Sequence, residues 1–377
     1  MNPLVLFVLS LALFFPAAPT LAETPPAPQI EARAWLMVDA LSGLPLAEKD
    51  ADSRVEPASL TKLMTAYLAF AAVRDGALRL DQPLPVSDKA WKAEGSRMFL
   101  DPRKPAAVGD LFKGMIVQSG NDACIVLAEG IAGSEEKFVA RMNAEAKRLG
   151  MTGTHFMNAT GLPDPQHYTT ARDLSRLALA LIREFPEHYK LYSLKEFAYN
   201  GITQPNRNRL LFMDPSVDGV KTGHTESAGY CLIASSKRDS RRLLSVVLGT
   251  GSDAARALES QKLLNYGFQF FETVRLYSAN QVVSSLRVYK GKSGELKAGF
   301  LYDFHVTVPR GTAAKLQAQL ITQQPMLAPV RKGQRIGTLR LSSDGKALGD
   351  YHLTALEGVE TAGILGRGWD SLLLMFK

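Results

Sequence analysis

Pro57-Ala58-Ser59-Leu60-Thr61-Lys62-Leu63-Met64-Thr65 leads into an almost unbroken apolar run ending at Val73. The spacing predicts a helix over residues 60–73, with Pro57 and Ser59 marking its start. Apolar residues cover all of its sides, as on a central buried helix. Ser59 and Lys62 stand three residues apart and so share a face. A serine hydroxyl is a weak nucleophile until a base takes its proton. Lys62 can be that base only when uncharged, which burial and a neighbouring cation favour. Lys221 is the cation expected there. The N-terminal end of a helix at Ser59 would also favour developing negative charge.

Alone, S-x-x-K is a cheap pattern. It recurs at Ser134–Lys137, which runs through Glu135 and Glu136 into an amphipathic segment, and at Ser343–Lys346, on an Asp-Gly hairpin. Neither precedes a long apolar helix. Two further motifs give Ser59 its context. Ser119-Gly120-Asn121 falls between helices expected over 108–115 and 122–131, where a loop projects side chains into a cleft. Ser119 is suited to relay a proton and Asn121 to bind an amide, although S-x-N is also an ordinary helix N-cap. Lys221-Thr222-Gly223 runs towards a strand region at Gly229. A lysine, a hydroxyl and a glycine at a strand edge suit a carboxylate-bearing peptide lying alongside as an extra strand. Gly223 permits close backbone approach.

The remaining pattern is mixed. Residues 34–39 read as a buried strand, Ser42-Gly43 as a turn, and 45–48 as the return. Helices are expected over 135–149, 170–185 and 254–266. Residues 229–235 and 242–248 alternate as a hairpin turning near Arg238-Asp239-Ser240. The first unit, 23–274, is therefore α+β, an antiparallel sheet with helices on both sides. Residues 275–360 show short alternating runs broken at Gly294, Pro309-Arg310-Gly311, Arg331-Lys332-Gly333 and Asp344-Gly345, predicting a small all-β domain. Residues 361–377 form an amphipathic pattern. Ile364, Leu365, Trp369, Leu372, Leu373, Met375 and Phe376 share one half of the wheel, opposite Arg367, Asp370, Ser371 and Lys377, with Leu374 as the exception. Such a chain end suits a helix lying in a membrane surface; a helix packed back on the protein has the same pattern.

The ends and the composition set the compartment. The apolar run at 4–15 is too short to span a bilayer, and Thr20-Leu21-Ala22 is a small-x-small site, so 1–22 reads as a secretory signal. The 377 residues carry a net charge of +7, suited to an anionic membrane or wall polymer. No dense basic cluster with interleaved aromatics points to nucleic acid. Cys124 and Cys231 are the only cysteines, and apolar surroundings predict two buried free thiols. The six histidines form no metal-binding pattern, so neither a metal nor another cofactor is expected.

With these motifs quoted, the chain resembles the low-molecular-weight penicillin-binding proteins that are D-alanyl-D-alanine carboxypeptidases; the same motif set occurs in class A β-lactamases. The likeness extends to Ser119-Gly120-Asn121-Asp122-Ala123-Cys124, Asn206-Arg207-Asn208 and Val217-Asp218-Gly219-Val220-Lys221-Thr222-Gly223-His224-Thr225. It implies a β-lactamase/transpeptidase-like domain followed by the all-β domain and the terminal helix. It implies that Ser59 forms an acyl-enzyme with Lys62 as base, that Ser119 and Asn121 line the cleft, and that Lys221 aids proton transfer. It assigns the N–H groups of Ser59 and His224 to an oxyanion hole. Thr222 and Arg256 would hold the substrate's terminal carboxylate, with Gly223, Thr225 and Ser96 nearby. Arg97 and Asp101-Pro102-Arg103 depart from the family's usual loop. The implied partners are the D-Ala-D-Ala end of the peptidoglycan pentapeptide, β-lactam antibiotics and a membrane surface. The implied location is the periplasmic face of the inner membrane. A β-lactamase would need an E-x-x-L-N between Ser119 and Lys221, which the chain lacks. A non-catalytic wall-binding or morphology protein would not need Ser59, Lys62 and Lys221 intact.

Overall fold

Ala34–Asp39 is buried at all six positions because its sheet is covered on both faces. Trp35 and Met37 enter one apolar cluster, Leu36 and Val38 the other, the alternation of a pleated strand. The computed structural model describes residues 25–322 and 324–375. The expected leader at 1–22, Phe376 and Lys377 lie outside the described residues.

The sheet has five antiparallel strands in the spatial order Pro45–Lys49, Ala34–Asp39, Arg241–Thr250, Gly229–Arg238 and Val217–Thr225. Asp253–Phe270 packs on one face through Ala257, Leu263 and Leu264. Ala171–Glu184, capped by the Thr170 side chain accepting from the Asp173 N–H, packs on the other. Beyond it Lys62–Arg74 is enclosed by Asn121–Ala132, Glu135–Arg148 and Ala171–Glu184. That enclosure explains its lack of a polar face. Cys124 and Cys231 are buried, free thiols.

Two local features differ from the sequence reading. The helix expected from residue 60 begins at Lys62 and is entered through a 3-10 turn, Ala58–Thr61. Ala58 there has φ +46°, a left-handed geometry that breaks an α-helix for a residue with a Cβ. The helix Val108–Lys113 likewise runs on as a π-turn, Gly114–Gln118, ending at Ser119 with φ +65°. The following helix is N-capped by Gly120 without a side-chain bond, so Ser119 is not spent on capping.

The second, sheet-rich part begins with Phe271–Tyr277, which pairs with Phe304–Pro309. That strand crosses the boundary expected at 274/275. A six-stranded sheet follows, in the order Leu316–Thr322, Arg335–Ser343, Lys346–Ala355, Glu295–Gly299, Val282–Tyr289 and Met326–Leu327. Leu296, Phe300, Phe304, Leu339, Leu341 and Leu353 fill its core.

A buried carboxylate joins the two parts. Asp39 accepts from the Leu41 and Ser42 N–H groups at 3.0 and 3.2 Å. It also accepts from Arg241 Nε at 2.9 Å and Thr273 Oγ1 at 2.6 Å. Arg241 donates onward to the carbonyls of Gly267 and Phe271. Ser42 Oγ meets Thr307 Oγ1 at 2.6 Å. Asp39→Ala would strand Arg241, so we expect it to cost about 3–5 kcal/mol and to lower the denaturant midpoint of the full chain. An unchanged midpoint would show that the network is dispensable.

Candidate active site

The Ala58–Thr61 turn is held from two sides by glycines. A Cβ on Gly161 would lie 1.8 Å from the Ala58 carbonyl oxygen, and Gly161 itself has φ +89°. A Cβ on Gly223 would meet Leu60 Cγ at 3.2 Å, the Pro57 carbonyl at 3.2 Å and Ala58 Cβ at 3.3 Å. Gly223 therefore lets the edge strand Val217–Thr225 press against the Ser59 turn itself.

Within that clamp Lys62 Nζ lies 2.9 Å from Ser59 Oγ and donates to the Thr160 carbonyl at 2.6 Å. Lys62 is 1% exposed. Desolvation of its ammonium lowers its pKa to about 8, opposed by Cys124 and helped by the Arg207 charge. Burial is thus the leading cause, and the chief cationic neighbour is Arg207, where the sequence pointed to Lys221. Lys221, also buried, donates to Ser119 Oγ at 3.0 Å and to its neighbour's carbonyl, Thr222 O, at 2.9 Å. Desolvation, then the charge of Lys62, depresses its pKa well below the usual lysine range.

Asn121 fastens a loop over this pair. Its N–H donates to the Ser96 carbonyl at 2.7 Å and its Nδ2 to the Glu94 carbonyl at 2.6 Å. Asp122 beside it accepts from the Met98 and Leu100 N–H groups. Asn121 Oδ1 is buried and meets no donor among the described residues. An unsatisfied buried acceptor costs about 1–3 kcal/mol, so this oxygen is a ready partner for an incoming N–H.

A cleft of ≈ 510 Å³ opens above, lined by Ser59, Ser96, Ser119, Thr222, Gly223, His224 and Arg256 among others. These seven sequence-selected residues share one cavity, with Lys62 and Lys221 buried beneath. Asn121, expected in the lining, is buried behind it, and Thr225 does not line it either. Its hydroxyl donates to Glu56 at 3.3 Å and accepts from the Ala228 N–H at 3.0 Å, which closes the turn after the strand. Arg256 is 6% exposed and donates to the Gly223 carbonyl at 3.0 Å and to Asp253. It braces the edge strand as well as facing the cleft.

The sequence reading gave no role to several lining residues: Asn206, Arg207, Arg209, Tyr230 and Asp253. Asp253 pairs with both Arg209 and Arg256, whereas Arg207 makes no ion pair among the described residues. Asn206-Arg207-Asn208 was visible only as part of a family likeness. The Thr160 carbonyl left no signal, because any residue supplies one.

Gly161→Ala should shift the Ser59 turn. We expect a loss of about 2–6 kcal/mol from backbone strain and overpacking, and roughly a 100-fold slower acylation by a fluorescent penicillin. Wild-type melting and labelling would refute the clamp.

Comparison with known proteins agrees with this geometry. Residues 21–252 match the D-alanyl-D-alanine carboxypeptidase family and residues 271–361 the C-terminal domain of penicillin-binding protein 5. D-alanyl-D-alanine carboxypeptidase DacC of Escherichia coli (strain K12) is 44% identical, over 97% of this chain and 94% of that protein. The DacA enzyme of Haemophilus influenzae is 40% identical over 93% and 91%. A crystal structure of penicillin binding protein 5 from Haemophilus influenzae superposes with a TM-score of 0.85 at 39% identity, over 90% of this chain and all of that one. A serine lining a cationic cleft with its lysine buried beneath, on this sheet and with these relatives, places the chain in the D-alanyl-D-alanine carboxypeptidase family of penicillin-binding proteins.

Proposed function

We propose that the cleft removes the terminal D-alanine from peptidoglycan pentapeptide stems through an acyl-enzyme on Ser59, and that β-lactams acylate the same oxygen. The observation that carries this reading is the 2.9 Å contact between Ser59 Oγ and a lysine amine whose pKa burial lowers to about 8. About a tenth of such lysines are uncharged at pH 7. One N–H of the neutral amine is held by the Thr160 carbonyl, which leaves its lone pair for the serine proton.

In the first step Ser59 Oγ attacks the carbonyl of the penultimate D-alanine and Lys62 takes the hydroxyl proton. The N–H groups of Ser59 and His224 face the developing oxyanion. Collapse breaks the C–N bond. The leaving amine gains a proton through Ser119, whose hydroxyl is tied to Lys221, and D-alanine departs. Water then attacks the ester and the serine recovers its proton. Arg207, Thr222 and Arg256 offer the carboxylate of the leaving residue a cationic wall. Asn121 Oδ1 accepts from a substrate amide. A penicillin-binding protein of the same fold, from Listeria monocytogenes, has been solved in an ampicillin-bound form at 32% identity and a TM-score of 0.60, which supports the β-lactam reading.

Because the base must be uncharged, acylation should rise with pH through about 8 and level off above it. Fluorescent-penicillin labelling and D-alanine release from a diacetyl-Lys-D-Ala-D-Ala peptide measure this. Ser59→Ala should give neither signal at any pH; retained labelling would remove Ser59 as the nucleophile.

We infer further that the terminal helix Ile364–Leu374 lies on a membrane surface, at the periplasmic face of the inner membrane. Asp370 turns toward the protein and accepts from the Lys290 N–H, while Leu373 and Leu374 are half-buried. The apolar face points out: Ile364 is 81% exposed, Leu365 91%, Trp369 64% and Met375 80%. A helix packed back on the protein would bury that face. No helix among the described residues is long and apolar enough to cross a membrane, so an in-plane contact is the fitting mode. Deleting residues 363–377 should release the protein from sedimented membranes; unchanged sedimentation would refute the anchor.

A further inference from the structure

We propose that the end of the second domain bearing the terminal helix is a docking surface for anionic phospholipid, in which Lys290, Arg331, Lys332 and Arg367 act together with the helix's apolar face. This rests on the membrane reading of the helix and adds the lipid class.

Two loops flank the segment that leads into the helix. The Val359 N–H donates to the Val330 carbonyl at 2.8 Å and the Val330 N–H returns a bond at 2.9 Å, which fixes the Arg331-Lys332 turn beside residue 359. The Lys292 N–H donates to the Glu360 carbonyl and the Ala362 N–H to the Lys290 carbonyl, both at 2.8 Å. The Lys290 N–H bonds to Asp370 on the helix itself. The helix is therefore seated on the domain, and both basic loops lie at the same end.

Charge at this end is unbalanced. Among the described residues none of Lys290, Arg331, Lys332 and Arg367 has an ion-pair partner. The acids nearby are already engaged: Glu360 with Lys292 at 2.5 Å, Glu357 with Lys297 at 3.8 Å, and Asp370 with a backbone N–H. Arg331, Lys332 and Arg367 are exposed and Lys290 is half-buried. Four cations without an ion-pair partner, opposed by the single carboxylate of Asp370, lie at the end that carries the outward apolar face and match a bilayer with anionic headgroups. A neutral bilayer would use only the apolar face, and a soluble polyanion only the cations. Each cation near an anionic surface strengthens binding about fivefold, an effect that salt screens within a Debye length.

The test uses the full chain with vesicles of phosphatidylcholine alone or mixed equally with phosphatidylglycerol. Wild type should bind the mixed vesicles at least tenfold more tightly, with the margin shrinking at high salt. The triple variant Lys290→Gln/Arg331→Gln/Lys332→Gln should lose most of that margin, keeping at most the roughly fivefold share of Arg367, yet bind neutral vesicles as wild type does, with an unchanged melting transition. If the triple variant unfolds, the exposed single changes Arg331→Gln and Lys332→Gln carry the test, each costing a fewfold on mixed vesicles only. A wild type indifferent to lipid charge, or a variant that keeps the preference, overturns the proposal. Equal binding of a soluble poly(glycerol phosphate) by a chain lacking residues 363–377 would assign the cations to a wall polymer and also overturn it. If that shortened chain still binds neutral vesicles, it is the anchor reading that fails.

Discussion

Enclosing a lysine amine beside a serine is the constraint that orders the rest of the molecule. A buried ammonium is strongly disfavoured, so the protein either neutralises the group or surrounds it with acceptors. Here it does some of each. Lys62 has the Thr160 carbonyl and Ser59 Oγ within reach, and no carboxylate pairs with it among the described residues. Enclosure requires helices on every side, which is why Lys62–Arg74 has no polar face. It also requires the Ser59 turn to be approached by two other backbones, which only Gly161 and Gly223 permit.

The second lysine extends the same logic. Lys221 reaches the site from the edge strand, and its hydrogen bond to Ser119 depends on that serine being held at φ +65° at the end of a π-turn. Irregular backbone of this kind costs about 1–3 kcal/mol and persists only where its surroundings fix it. Gly120 supplies that fixing. Its N–H bonds to the Gly114 carbonyl at 3.1 Å, and a Cβ there would collide with Asp122 at 2.8 Å. After burial, the charge of Lys62 is what depresses the proton affinity of Lys221.

What the sequence made legible follows from what carries periodicity. The strand Ala34–Asp39, the hairpin turning at Asp239-Ser240 and the apolar Lys62–Arg74 helix all have local signatures, and all were readable within a residue or two. The nucleophile's own turn was not, since it turns on Ala58 at φ +46° packed against Gly161, which is distant in sequence. Thr225 shared the motif's end but points to Glu56, because a β-turn after an edge strand consumes its hydroxyl. Arg207 acquires meaning only when Asp253 proves to be shared between Arg209 and Arg256, leaving one guanidinium uncommitted. The Asp39 network joins residues more than two hundred positions apart, beyond any local pattern.

The terminal helix extends the argument from local pattern to orientation. Composition alone shows an amphipathic segment, and amphipathicity is symmetric: either face can be the one turned to the protein. A single bond breaks the symmetry. With Asp370 fixed to the Lys290 N–H, that edge of the helix faces the domain while Trp369 and its neighbours face away, the inverse of a helix that completes a core. The same bond ties the helix to the loop carrying Lys290, which is itself bonded to the segment before the helix. The outward face is thereby held at a set angle to the sheet-rich domain. The domain in turn is held to the catalytic sheet through Asp39, Thr273 and Thr307. A surface that captures the helix therefore also sets the direction in which the cleft opens.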